Sequence, residues 1–121
     1  MERKLDYLEM LRFDQQAMVD LDINLNINQM AVFILFCHAV ESGDSGYQDI
    51  NTSNGIVRYY KFFTDYIVRM LPLLNTKTIK GVKKILDKLV QEGMISDHYD
   101  YYCFNDKGKA YFDRQNMFLT I

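Results

Sequence analysis

The 121-residue sequence contains no tryptophan, one proline and two cysteines. Cys37 and Cys103 are too few for a disulfide scaffold. Both sit in apolar contexts and read as reduced thiols of a cytoplasmic protein. No apolar run is long enough to span a bilayer, and the longest, residues 30–40, is interrupted by His38. The first six residues lack the apolar core of a signal peptide. Cytoplasmic location and no membrane partner are therefore expected. Chemistry is also sparse. Cys37 and His38 are adjacent, so on a helix they point about 100° apart and cannot share a metal from one turn. No metal-ligand spacing is present. Gly43, Gly46 and Gly55 read as turn glycines, not a phosphate loop. Asp97 and Asp100 read as solvated acids of a hairpin tip rather than a catalytic pair. No nucleophile stands in a pattern with a base. The sequence thus predicts no enzyme, no cofactor and no metal.

What is present centres on residues 75–93. Ile79, Val82, Leu86 and Leu89 recur at spacings of three and four, and Ile85 and Val90 widen the stripe. This predicts one helix over 76–92, capped by Asn75 or Thr76 and stopped by Gly93. Ile79, Val82, Leu86 and Leu89 would be buried. Lys77, Lys80, Lys84 and Lys88 would line the opposite side, with Lys83 beside them. Charge is unevenly spread. Residues 1–50 carry three bases against nine carboxylates, a balance of −6. Residues 56–91 carry eight bases against two acids, +6, and residues 92–121 balance at −2. The overall charge is only −2, but this pattern predicts one basic face on an acidic body.

In chain order, Arg3 to Asp20 reads as a first helix with apolar residues on more than one side. Ile27 to Glu41, capped by Asn26 or Asn28, is apolar nearly all round and should be the buried centre. Asn54-Gly55 between β-rich flanks signals a tight hairpin, with Gly55 at positive φ and a strand from Ile56 to Phe62. A helix through Tyr59 to Met70 is the rival there. Thr64 would cap a short helix that Pro72 stops. Short helix, turn and lysine helix make a helix-turn-helix pattern. Met94 to Asp97 and Asp100 to Phe104 read as two short strands. Asn105 would cap a last helix through Asp113, and the apolar tail 117–121 should dock. Tyr59, Tyr60, Tyr99, Tyr101 and Tyr102 read as sheet packing ahead of base stacking.

This order resembles the winged-helix fold, mainly α with a small β component. Thr78-Ile79, Leu86, Leu89, Glu92-Gly93-Met94-Ile95 and Phe104-Asn105-Asp106-Lys107-Gly108 are similar to the recognition helix, wing entry and wing exit of MarR-type transcriptional regulators. Residues 26–40, Tyr59-Tyr60-Lys61, Met70-Leu71-Pro72-Leu73-Leu74 and Thr78-Ile79 are similar to winged-helix domains of phage and plasmid replication-initiation proteins. The resemblance implies one domain over 1–121, with a winged-helix core at 26–112 and helix 1–20 available for a homodimer. It implies a small DNA-binding transcriptional regulator. Lys77, Thr78, Lys80, Lys83 and Lys84 would enter the major groove of double-stranded DNA, and Lys88, Arg69 and Lys61 would contact phosphates. The sequence departs from the pattern at the wing tip, where Asp97-His98-Tyr99-Asp100 replaces a basic tip and would repel phosphate. That departure keeps an alternative open: a winged-helix module, of phage or mobile-element type, that binds a host protein; a replication-initiation DNA-binding protein is a further one.

Overall fold

The computed structural model describes residues 14–43 and 46–119. They form a mixed α/β domain in the order α1 (Gln15–Asp20), α2 (Ile27–Ser42), β1 (Tyr47–Thr52), β2 (Gly55–Lys61), α3 (Thr64–Met70), α4 (Ile79–Gln91), β3 (Ile95–His98), β4 (Tyr101–Phe104) and α5 (Asp106–Leu119). No described helix is long and apolar enough to cross a membrane. The expected helix from Arg3 does not run unbroken to Asp20. Asp14 is extended, and its carboxylate accepts the Ala17 N–H at 3.0 Å, so it caps a new start. The rest of that expected helix, residues 1–13, lies outside the described residues. So does the docking expected of the side chains at 117–121.

Helix α2 is the buried centre. Asn26 and Gln29 exchange side-chain and backbone hydrogen bonds, both 2.9 Å, in a capping box. Every residue from Met30 to Cys37 is buried, so the helix is enclosed on all sides rather than amphipathic. Phe33 and Phe36 meet Phe104 edge-on at centroid distances of 6.0 and 5.1 Å, and Phe36 meets Phe62 at 5.2 Å. Tyr111 of α5 packs on Phe33, and its hydroxyl accepts the Asp14 N–H at 2.8 Å, tying the start of α1 to the last helix.

The four strands form one antiparallel sheet in the order β1-β2-β4-β3. The expected hairpin is there with Gly55 at φ +106, but Ser53 and Asn54 occupy the turn's centre and Asn54 keeps a negative φ. The Thr52 hydroxyl donates to the Gly55 carbonyl at 2.7 Å and closes the loop. Strand β2 then joins the two-stranded hairpin after α4 through Tyr60↔Tyr102 and Lys61↔Tyr101. The rival helix through Tyr59 is absent. Helix α3 begins at Thr64, one residue earlier than expected, with Phe63 at the cap position and no side-chain cap bond.

Helix α4 starts at Ile79, three residues later than expected. Thr78, not Asn75 or Thr76, caps it by accepting the Gly81 N–H at 3.0 Å. Residues before the cap fold back over the first turn, and a Cβ on Gly81 would collide with the Thr76 hydroxyl. Gly93, at φ +82, follows the helix as expected. Val82, Ile85, Leu86 and Leu89 are buried against α2 and α3. Ile79 is not; it is 74% exposed. It occupies the first helical position, and no element among the described residues covers it.

Candidate interaction face

The face formed by α3, α4 and the β3–β4 turn gathers most of the side chains that the sequence singles out. Helix α4 has its apolar stripe in the core, so 100° rotation per residue carries Lys80 and Lys84 to the solvent side. Both are exposed and unpaired among the described residues. Thr78, also exposed, is spent on the helix cap. Lys77 closes the α3–α4 turn, its Nζ donating to the carbonyls of Pro72 at 2.9 Å and Leu74 at 3.1 Å.

Lys83 departs from the expected row. It sits on the flank of α4 that faces the β3–β4 hairpin, and its Nζ reaches Asp100 at 3.2 Å, Asp97 at 3.5 Å and Asp87 at 3.8 Å. The Tyr102 hydroxyl lies 3.2 Å away. Burial alone would lower the lysine's pKa, but hydrogen bonds to Tyr102 and Asp100 and the nearby charge of Asp97 hold it above the ordinary lysine range. Burial pushes the Tyr102 phenol up despite the neighbouring ammonium, so the hydroxyl is neutral near pH 7. The aspartates therefore answer the ammonium charge at that pH. With three carboxylates within 4 Å of one ammonium, Lys83 adds no net positive charge for a phosphate.

The remaining cations are dispersed. Lys88 is half-buried and helps hold the Glu92 carboxyl low, behind the Asn24 N–H, which donates to it, and Lys107. Arg69, on α3, lies 5.8 Å from the Tyr66 ring centre. Lys61 ends β2, its stem lying over Gly46. The structure thus brings Lys80 and Lys84 together, commits Thr78, Lys77 and Lys83 to structural bonds, and leaves Lys88 half-buried on α4, Arg69 on α3 and Lys61 on β2.

Sequence reasoning misses the apolar part of this face. A groove of about 200 Å³ runs between the start of α3, the first two turns of α4 and the hairpin turn. Leu86 and Tyr102 are among the residues at its base, and Phe63 and Ile79 line it while remaining 51% and 74% exposed. Lys83 and Asp100, paired with each other, also line it. Phe62 and Phe63 carry the available signal: adjacent residues leaving a strand point to opposite sides, so only one can enter the core. The hairpin turn is Tyr99-Asp100, with φ +51 and +68, narrower than the four-residue tip expected. Tyr99 is 87% exposed there. Aromatic residues seldom hold that conformation.

No family model matches the chain, and no solved structure does. The chain is similar to Xaa-Pro dipeptidyl-peptidases of Streptococcus pneumoniae, among them those of strains Hungary19A-6 and ATCC BAA-255 / R6. Identity is 28% over 120 residues, covering 99% of this chain but only 14% of each peptidase.

Proposed function

We propose that this domain is a protein-binding module on a winged-helix frame, with no catalytic role of its own. The order α2, β2, α3, α4, β3, β4 supports the frame, because β2 pairs with β4 and β4 with β3 around a helix-turn-helix. The observation that carries the binding reading is the groove bordered by Phe63 and Ile79, which lies on the face a DNA reader would turn to the duplex. A photocrosslinking residue in place of Ile79 tests the reading in cells. A discrete protein adduct is expected, with none from the same residue at Glu41. Equal adducts from both positions, or none at 79, would overturn it.

A second reading, a DNA-binding transcriptional regulator, is favoured by one observation: Lys80 and Lys84 are exposed and, among the described residues, unpaired near the start of α4. A homodimer would go with it, since helix-turn-helix dimers read half-sites about 34–36 Å apart. It requires salt-steep binding of duplex DNA by fluorescence anisotropy, weakened by Lys84→Ala, and a dimeric mass by light scattering.

A further inference from the structure

The groove's walls constrain what can fill it. Two are helical and the third is a hairpin turn, so no open strand edge borders it and strand addition is unavailable. It follows α4 from Ile79 to Leu86, about 10 Å at the helical rise, which is two turns of a partner helix. Its volume suits one or two large apolar side chains. At its end Lys83 is already answered by Asp100 at 3.2 Å, Asp97 at 3.5 Å and Asp87 at 3.8 Å, so a partner's carboxylates are not drawn there. The selective charges stand just outside. Lys80 and Lys84 crown the α4 wall on the next strip of the helix, one turn apart, both exposed and unpaired among the described residues. An occupant that put carboxylates opposite them would complete both the charge and the apolar surface.

We infer that the groove receives an acidic amphipathic helix of a partner protein. Two apolar anchors, three or four residues apart, enter between Phe63 and Ile79, and carboxylates on the adjoining face meet Lys80 and Lys84. The inference rests on the protein-binding reading and names the chemistry of its partner. Nucleic acid fits less well, because it would set charged phosphate against the exposed apolar side chains of Phe63 and Ile79.

The test uses the full chain, labelled with ¹⁵N and titrated with a synthetic helical peptide that has Leu and Phe anchors and Glu at flanking positions. A twin carries Lys in place of each Glu. Shift changes confined to Phe63, Thr64, residues 79–86 and Tyr102 are expected, with the Lys twin weaker by roughly tenfold. The double variant Lys80→Glu/Lys84→Glu should reverse that preference, and Ile79→Asp should weaken both peptides. These positions are exposed, and thermal melts check that each variant keeps its fold. Equal binding of the two peptides, shifts elsewhere, no binding, or an unaffected Ile79→Asp variant would overturn the inference. Concentration-dependent shifts in the same residues without peptide, with a doubled mass, would make the occupant a second copy and overturn it as well. If the acidic peptide fails while Ile79 still crosslinks to a protein in cells, only the inference falls. If duplex DNA moves these residues and the peptide does not, the protein-binding reading falls with it.

Discussion

Gly81 separates helix propensity from packing at the scale of one residue. An alanine in a helix interior is worth about 1 kcal/mol more than a glycine, so propensity alone favours Gly81→Ala. The structure predicts the opposite sign. The added methyl would meet the Thr76 hydroxyl, which folds over the first turn of α4, and would also press on Thr78, the cap. A loss of about 1 kcal/mol is expected in a urea melt, relieved when Thr76→Gly is added. A gain in the single variant would show that the 76–78 segment moves aside freely. Ile79 makes the complementary point. It belongs to the apolar spacing but is exposed, so Ile79→Ala should change stability by less than about 0.5 kcal/mol. Leu89→Ala, at a fully buried position of the same stripe, should cost about 2–5 kcal/mol. Similar losses at both positions would contradict the packing described for α4.

Elements with strong local signals were legible in the sequence. Helix α2 is apolar all round with Asn26 ahead of it, α4 has its stripe, and Gly55 and Gly93 mark ends. Boundaries were less so. Asn75, Thr76 and Thr78 are all competent caps, and the choice of Thr78 depends on how 76–78 lie over Gly81. Asp14 likewise interrupts a pattern that reads as continuous helix. The β2–β4 pairing joins residues some forty apart in sequence, which local pattern does not reveal. The lysine row was legible as composition but not as a site. Lys83 turns to the hairpin because Asp97 and Asp100 come within reach only after β3 and β4 pair. That hairpin also yields a prediction at this scale. Its turn holds Tyr99 at φ +51, where asparagine is far better tolerated. Tyr99→Asn should raise stability by a few tenths to about 1 kcal/mol in a thermal melt. A lower melting temperature would mean that contacts of the ring, such as its edge-on packing with His98 at 4.9 Å, outweigh the strain.

Over the whole molecule, the titrating groups set where the fold is stable. On the acid side, Arg114 holds Asp20 low, Arg58 holds Asp49 low, and the Asn24 N–H holds Glu92 low. Lowered carboxyls stabilise above their unfolded pKa, and that stability is lost as pH falls through the folded value. Asp20 and Asp49 are exposed, so their share of that loss should be shallow. The alkaline side should be steep. Burial pushes Tyr111 up to about 12, against about 10 for an unfolded tyrosine, and Tyr102 is raised by burial as well. Between the unfolded and folded values the folded chain keeps protons that the unfolded chain has released, so stability falls as pH rises. Lys83 acts in the same direction but weakly, because it and its partners are partly exposed. Its raised pKa contributes stability that is complete below about 10.4, the unfolded lysine value, and declines above it. Both tyrosines are part of the packing that links the sheet and α5 to α2, and Lys83 ties α4 to the hairpin. Their losses should therefore appear as one cooperative transition. Urea midpoints measured across pH should form a plateau through neutrality to about 10, then drop sharply toward 12. Tyr111→Phe removes one ionisation and leaves the ring in place. It should lower the plateau by about 1 kcal/mol, the worth of the hydrogen bond with the Asp14 N–H, and make the alkaline drop shallower. A variant that keeps the parent's steep drop would show that Tyr111 is not among the groups that set it.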